Sequence, residues 1–308
     1  MARLPTAAQD TKSRTHCCNG RDRFDRRQAG GVRSRYASAV TGGGVADLKG
    51  KVAIVTGASR GVGRGIAQGL GEAGCTVYVT GRTSSAASPP DLLSIEATAA
   101  EVDALGGRGI PVRVDHEDDA AIAALVARVA TEQGRLDVLV NNVFRTPNPP
   151  VYRGGFWTHP VAIWDDMVGI GCRAHYVASV HAAPLMVAQG SGLIVNISSS
   201  AGSRYRLSVA YGTGKAAVDR MARDMAEELR PHGVAAVSLW PGVVRTEFLL
   251  AEAEAGRMRV DLSAAQSPRF TGRAVAALAR DPDVMEQTGL VYEVADLAKI
   301  YRFRDLDD

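Results

Sequence analysis

The stretch Thr56-Gly57-Ala58-Ser59-Arg60-Gly61-Val62-Gly63 decides the fold. It follows the short apolar run Val52–Thr56 and passes at once into a helical pattern near residues 62–73. Its three glycines permit a tight turn, close approach of the backbone to a pyrophosphate, and close packing of the helix on the strand. The start of the helix would offer unpaired N–H groups and a positive dipole end to a phosphate. The stretch predicts a nucleotide-binding strand–turn–helix unit, and a glycine-rich turn without a ligand is the alternative.

Short β-branched runs alternate with helical patterns from Lys51 onward, which is typical of a parallel sheet wrapped by helices. The strands are almost continuously apolar, as expected when helices cover both faces of the sheet. We predict an α/β fold, a Rossmann-type doubly wound, seven-stranded parallel sheet with helices on both faces. The predicted strands are Val52–Thr56, Thr76–Thr80, Ile110–Asp115, Leu136–Asn141, Leu193–Ser198, Val234–Trp240 and Gly289–Val294, and the predicted helices lie near 62–73, 91–105, 117–133, 161–188, 210–230 and 270–280.

Charge divides the chain of 308 residues into two parts. Residues 1–46 carry nine Lys/Arg and three Asp, whereas the remainder is net negative, so the overall charge of +3 comes from the N-terminal part. We predict a basic, disordered extension over 1–46 and a single domain over 47–308. A transit peptide, or translation from a start codon assigned too early, would also explain the extension. The extension holds only Phe24 and Tyr36 as aromatic residues, so a nucleic-acid partner is not predicted.

Composition excludes several classes of protein. With 46% hydrophobic and 22% charged residues, the chain resembles ordinary soluble proteins. The sequence contains no run of 18 apolar residues, so no membrane span is predicted. The four cysteines have neither the spacing of a zinc site nor that of a secreted disulfide framework, which favours a reducing, cytoplasmic location. The six histidines show no metal-ligand spacing, so no metal site is predicted.

The stretch Tyr211-Gly212-Thr213-Gly214-Lys215 opens another helical pattern. Residues four apart lie on one face of a helix, so the phenol of Tyr211 and the ammonium of Lys215 can point at one site. A free tyrosine titrates near pH ~10, and a nearby cation lowers that pKa towards the working range. This spacing is common in helices, and it becomes informative only together with the upstream motifs.

In order and spacing, Thr56–Gly63, Asn141-Asn142, Ser198–Ser200, Tyr211-x-x-x-Lys215 and Pro241-Gly242 resemble the short-chain dehydrogenase/reductases over about residues 50–300. Further motifs resemble the subgroup of dehydrogenase/reductase family member 1: Trp164-Asp165-Asp166, His175-Tyr176, Gly192–Val195, Ser238–Gly242 and Tyr301-x-Phe303-Arg304-Asp305. The resemblance implies that Tyr211 exchanges the proton, that Lys215 lowers its pKa and bonds the ribose, and that a serine orients the substrate oxygen. Aligning the strand on Gly192 and Gly202 selects Ser199, which we favour, whereas counting 13 residues back from Tyr211 selects Ser198.

The resemblance also implies an NADP(H) site, with NAD(H) as the second choice. The predicted strand Thr76–Thr80 is followed by Gly81-Arg82 and no acidic residue, and Arg60 and Arg82 together could clamp a 2′-phosphate. Asp115 matches the position that bonds the adenine amino group, and a helix N-cap is its alternative role. The predicted cofactor-binding residues are Gly57, Ser59, Arg60, Gly61, Val62, Gly63, Arg82, Asp115, Asn141, Tyr211, Lys215, Val244 and Thr246.

We predict an NADP(H)-dependent carbonyl reductase or alcohol dehydrogenase for a small, apolar substrate. The family's usual catalytic asparagine falls at about position 171, where this chain has Gly171, so a non-catalytic NADP(H)-binding scaffold or redox sensor is the alternative. A reductase of an activated double bond is a lesser one. Residues 144–164 either pack over the sheet edge or form the wall of a substrate pocket, and residues 247–270 resemble a mobile substrate lid.

The resemblance further implies a homodimer or homotetramer built on the helices near 161–188 and 210–230. The second helix would present a patch of small residues, which favours close two-fold packing. The alternative is that these residues face the sheet. They are Ala216, Ala217, Ala222 and Ala226.

Overall fold

Seven strands form one parallel sheet in the computed structural model, which describes residues 47–86, 93–147, 150 and 154–305. They lie in the order β3-β2-β1-β4-β5-β6-β7, with every neighbouring pair parallel. The order reverses between β1 and β4, which is where doubly wound sheets bind ligands. This topology confirms the predicted fold class. The strands are β1 (Val52–Val55), β2 (Thr76–Gly81), β3 (Arg108–Arg113), β4 (Val138–Asn141), β5 (Gly192–Ile197), β6 (Val234–Trp240) and β7 (Val291–Glu293).

Helices cover both faces of the sheet, and alternate strand residues point to each face. Ala53 and Val55 of β1 pack in a core with α1, α2, α8 and α9, whereas Val52 and Ile54 pack in a second core with α3, α5 and α6. A π-helix, Asp165–Arg173, joins α4 to α5 without a break. The helices are α1 (Gly61–Glu72), α2 (Ile95–Ala104), α3 (Asp119–Gln133), α4 (Ala162–Trp164), α5 (Ala174–Gln189), α6 (Val209–Leu229), α7 (Glu247–Glu254), α8 (Pro268–Arg280) and α9 (Val294–Tyr301).

Helices α1 and α8 touch backbone to backbone. A Cβ atom at Gly65 would lie 2.1 Å from the carbonyl carbon of Pro268, and one at Gly69 would lie 2.4 Å from that of Gly272. Because residues four apart share one helix face, the two α1 glycines form a continuous contact surface for α8. This close packing fixes the start of α1, and with it the glycine-rich loop, against the segment that follows β6.

Several predicted boundaries differ from the structure. β3 spans Arg108–Arg113 rather than Ile110–Asp115, so Asp115 lies in the following loop. β7 is shorter than predicted, and α9 begins at Val294, directly after it. Helices α7 and α9 were not predicted. The predicted extension over 1–46 lies outside the described residues, and the described residues belong to one compact unit.

Candidate active site

A cavity of about 580 Å³ opens at the carboxyl edge of the sheet. It is lined by the glycine-rich loop after β1, by the loops after β2, β3, β4 and β6, by the end of β5 and by the first turns of α6. Of the predicted site residues, every one except Asn141 lines this cavity. The sheet therefore brings together side chains that are up to about 190 positions apart in the sequence, as expected for strand ends in an open α/β sheet.

Tyr211 and Lys215 lie in the first two turns of α6. The helix begins after Ser208, whose hydroxyl accepts the backbone N–H of Tyr211 at 3.2 Å. Lys215 is buried, and its Nζ donates to the carbonyl oxygen of Ile197 at 3.0 Å. Burial lowers the pKa of Lys215 to about 8, and nearby Asp219 opposes that shift. A lysine with such a pKa can gain or lose a proton near neutral pH.

The pKa of Tyr211 differs from the sequence-based expectation. Burial raises it above its ordinary value, while a hydrogen bond with Ser199 and the charge of Arg206 lower it in part. The Nζ of Lys215 lies 5.9 Å from the centre of the tyrosine ring and is directed at the Ile197 carbonyl. The expected lowering of the tyrosine pKa by Lys215 is therefore not seen in this arrangement.

The two candidate serines have different surroundings. Ser198 donates its hydroxyl to the backbone carbonyl of Lys215 at 3.1 Å and is buried. Ser199 is only half-buried and lines the cavity together with Tyr211, and its Oγ accepts the N–H of Ala201 at 3.2 Å. The geometry therefore favours Ser199 as the hydroxyl that can meet a substrate oxygen together with Tyr211.

The glycine-rich loop is shaped to hold an anion. Gly57 and Gly61 have φ values of +65° and +57°, which favour glycine, and a Cβ at Gly63 would lie 2.3 Å from the carbonyl oxygen of Gly57. The N-cap residue of α1, Arg60, makes no side-chain capping bond. Instead the carboxylate of Glu247 accepts the N–H of Gly61 at 2.9 Å and a guanidinium N–H of Arg64 at 3.2 Å. An anionic group at this helix start fits the dipole, and a pyrophosphate fits the same donors.

Arg60 and Arg82 flank the cavity beside the end of β2. The guanidinium of Arg60 donates to Thr83 Oγ1 at 3.0 Å, across the gap between the two loops. Arg82 is half-exposed and lies 3.7 Å from Glu117, which also binds Arg145. Both guanidinium groups therefore lie beside the end of β2, where an anion would compete with Glu117 for Arg82.

Asp115 does not cap α3. Its carboxylate accepts the N–H of Glu117 at 3.1 Å, whereas Asp118 is the N-cap and accepts the N–H groups of Ala120 and Ala121. The alternative role proposed for Asp115 is therefore wrong, because the helix begins two residues later than predicted. Asp115 lines the cavity, and its neighbour there is His116.

Asn141 lies behind the cavity wall. It is fully buried, and its side-chain amide donates to Ser179 Oγ and to Asn196 Oδ1, both at 2.9 Å. Its neighbour Asn142 lines the cavity and donates to the carbonyl oxygens of Thr56 and Gly57. Adjacent residues at a strand end point to opposite sides, so Asn141 fixes the sheet while Asn142 fixes the glycine-rich loop.

Comparison with known proteins places this arrangement in a family. The model of the family described as short chain dehydrogenase matches residues 51–255. Dehydrogenase/reductase SDR family member 1 of Mus musculus is 45% identical over 280 residues, which cover 85% of each chain. The chain belongs to the short-chain dehydrogenase/reductase family. The Homo sapiens protein of the same name is 43% identical over 274 residues, again with 85% of each chain covered, which confirms the subgroup.

A solved structure of the family agrees in fold. The crystal structure of a metagenomic short-chain oxidoreductase in complex with NADP is 32% identical and has a TM-score of 0.62, covering 80% of this chain and 96% of that chain. Short-chain dehydrogenase/reductases are oxidoreductases that act on CH–OH or C=O groups with NAD(P), and this chain is an oxidoreductase of that class.

The predicted site residues of this short-chain dehydrogenase/reductase did not include Phe144, His116 and Glu247, which line the cavity. Phe144 and Glu247 nevertheless lie in the segments 144–164 and 247–270, which were predicted as a possible pocket wall and as a lid. Phe144 follows the Asn141-Asn142 motif where the family usually has glycine, which was a signal that could have found it. In the described part of the 144–164 connection, Phe156 and Trp157 are exposed and line no cavity wall, so neither predicted role fits them. Within the described residues, no helix could span a membrane and no cluster of His, Cys, Asp or Glu could hold a metal ion.

Proposed function

We propose that this chain is an NADP(H)-dependent carbonyl reductase or alcohol dehydrogenase for a small, apolar substrate. The observation that carries the proposal is that Tyr211, Ser199 and buried Lys215 line the same cavity as the glycine-rich loop. NADP(H), when bound, supplies or accepts the hydride. The chain supplies the binding site for the substrate oxygen and the path of the proton.

The proton path follows from the positions of three side chains. In the reducing direction, Ser199 hydrogen-bonds the carbonyl oxygen of the substrate and Tyr211 gives it the phenolic proton as negative charge develops there. We infer that Lys215 stabilises the phenolate that remains once its ammonium turns from the Ile197 carbonyl towards Tyr211, whose ring centre is 5.9 Å from Nζ. In the oxidising direction, the phenolate of Tyr211 takes the proton back from the alcohol.

The preference for NADP(H) is supported by charge. Arg60 and Arg82 present two guanidinium groups at the end of β2, and the NADP complex of the metagenomic relative agrees with this choice. The N–H groups of Gly61 and Val62 would hold the pyrophosphate. The loop containing Val244 and Thr246 would hold the carboxamide, as the family resemblance implies. Asn141 is proposed as a positioning residue rather than a direct contact.

An apolar substrate is supported by the apolar part of the cavity wall. Val143, Phe144, Ile170 and Phe248 line the cavity, and Phe248 belongs to α7, within the segment predicted as the substrate lid. Aromatic and aliphatic walls with a few convergent polar groups are typical of sites for small organic molecules.

The variant Tyr211→Phe tests the proposal, with Tyr205→Phe as a matched control because Tyr205 is exposed outside the cavity. We expect Tyr211→Phe to abolish NADPH oxidation against a panel of ketones and aldehydes while NADPH still binds, because the change removes one hydroxyl and little volume. Near-wild-type turnover in Tyr211→Phe would refute the mechanism. Tight NADPH binding without turnover in the unchanged protein would favour the scaffold or sensor, and turnover of activated alkenes alone would favour the double-bond reductase.

We also propose a cytoplasmic homodimer or homotetramer whose folded domain spans residues 47–308. On α5, Tyr176 and Val180 are one turn apart and exposed, which supports this helix as a contact surface. The small-residue patch predicted on α6 is only partly available. Ala222 and Ala226 are fully buried against the sheet, whereas Ala216 is exposed.

A further inference from the structure

The ring of Phe144 lies between the π-helix and the two key side chains of α6. Its centroid is 5.0 Å from the Nζ of Lys215 and 5.7 Å from the ring centroid of Tyr211, with an interplanar angle of 78°. The first distance is that of a cation–π contact, and the second arrangement is an edge-to-face aromatic pair. Phe144 therefore contacts both groups of the proposed proton path without carrying a proton itself.

Gly171 leaves room for this ring. A Cβ atom at Gly171 would lie 2.9 Å from Cδ2 and 3.2 Å from Cε2 of Phe144. The first distance is closer than real Cβ contacts, so a side chain at position 171 would displace the ring. Gly171 belongs to the π-helix Asp165–Arg173, and such irregular turns occur often at functional sites.

The backbone on both sides of Phe144 is held in place. The carbonyl of Val143 accepts a hydrogen bond from His175 Nε2 at 3.0 Å, and Arg145 donates to Asp166 at 3.2 Å. Burial lowers the pKa of His175 to about 3, so the imidazole is neutral, and because a carbonyl only accepts, its proton is on Nε2. The position of the ring is thus fixed by contacts on α5 and the π-helix.

We propose that Phe144 is a positioning residue of the active site: its ring shields the Lys215 ammonium from water and fixes the Tyr211 ring, and Gly171 is required because it leaves space for Phe144. The inference rests on the proposed function for its kinetic readout only. On its other side, the ammonium donates to the carbonyl of Ile197. The titratable groups around Lys215 are Asp219 and Tyr211 on α6, Cys172 on the π-helix and His175 on α5.

The test is a pH titration of the Lys215 side chain by NMR in protein labelled with ¹³C-lysine. The chain has only five lysines, so the Lys215 signal is identified by its loss in Lys215→Arg. Removing the ring in Phe144→Ala would admit water and relieve the desolvation that lowers this pKa. We expect the pKa to rise by about one unit, although loss of the cation–π contact acts in the opposite direction.

Two further variants test whether shielding is the cause. Phe144→Leu keeps an apolar cover and should shift the Lys215 pKa by less than half as much as Phe144→Ala. Gly171→Ala should act like Phe144→Ala, because it displaces the ring. In the double variant, the added methyl at position 171 should have no further effect, since the group that it displaces is already gone. Phe156→Leu is the control, because that ring is exposed outside the cavity.

The same Phe144 and Gly171 variants are also compared by steady-state kinetics. In Phe144→Ala we expect kcat to fall about tenfold with little change in KM, and the alkaline limb of the pH profile to move upward with the Lys215 pKa. An unchanged Lys215 titration in Phe144→Ala, equal shifts in the Ala and Leu variants, or additive effects of the two single changes would each overturn the proposal. If the proposed carbonyl reductase function is wrong, the unchanged protein will show no turnover, while the Lys215 pKa will still shift in the variants as predicted.

Discussion

Replacing Arg60 and Arg82 together with alanine should remove the preference for NADPH that we propose, so that NADPH and NADH bind similarly. The two cofactors differ in the 2′-phosphate, which carries a charge of about −1.5 to −2 at neutral pH. Arg60 already bridges to Thr83 at 3.0 Å, and Arg82 is 53% exposed, so both guanidinium groups lie at the cavity rim beside the end of β2.

The expected magnitude follows from this exposure. A hydrogen bond to a charged group contributes about 1.5–3 kcal/mol, and exposure with salt screening reduces this to about 1–2 kcal/mol for each arginine. Losing both should weaken NADPH by about 2–4 kcal/mol, which is roughly 30- to 1,000-fold in Kd, whereas NADH should change by less than about threefold. Glu117 lies 3.7 Å from Arg82 and competes with the phosphate, so Glu117→Gln should strengthen NADPH binding.

Paired fluorescence titrations with NADPH and NADH at two salt concentrations measure these constants. Arg128→Ala is a suitable control, since Arg128 is an exposed residue of α3 that pairs with Glu132. The loss for NADPH should shrink at high salt because the contacts are exposed. Equal losses for both cofactors would show that the arginines do not read the 2′-phosphate.

Three other predictions concern the lid, the acid limit of stability and assembly. Glu247→Gln removes a negative charge from the start of α1 at constant size, so the Kd for NADPH should fall at least threefold in titration; weaker binding would contradict the competition that we infer. Burial lowers the pKa of His116 to about 4 and of His175 to about 3, below the unfolded value of about 6.5, so both contribute stability that is present above pH ~6.5 and lost as the pH falls. Between pH 7 and pH 5 this loss should be about 2 kcal/mol for each histidine in urea unfolding, and equal midpoints would refute it. Tyr176→Arg should yield monomers in light scattering, because Tyr176 is exposed on the proposed contact surface. A chain that begins at Val45 should have the same number of subunits as the full chain. A fully active full chain that is monomeric would exclude the oligomer.

Much of the fold could be predicted because its local signals agree. Strand β1 is continuously apolar, β6 is apolar except for Ser238, and the glycine-rich loop marks the first strand–helix junction. The errors occur where such signals are absent. Helix α9 follows β7 directly, and its N-cap, Glu293, makes no side-chain capping bond, so nothing in the sequence marks its start. The edge strand β3 contains Pro111 and is half-exposed, which weakens its apolar pattern.

The cavity residues at strand ends were predictable for the same reason, since parallel strands bring their carboxyl ends to one edge. Tertiary contacts were not predictable. The contact between Gly171 and Phe144 joins residues 27 positions apart, and the contact between Glu247 and Gly61 joins residues 186 positions apart. No local sequence pattern predicts either contact.

Gly171 does not by itself argue against catalysis, because the side chains of the proton path are held by other elements. Ser199 is placed by the end of β5, and Tyr211 and Lys215 are placed by the cap of α6 at Ser208. The π-helix contributes the space that the Phe144 ring fills. Gly171 and the Phe144 ring therefore fit each other, and the ring lies 5.0 Å from the Nζ of Lys215. A buried lysine whose pKa is lowered to about 8, in one cavity with a tyrosine and a serine, is the combination that proton transfer needs.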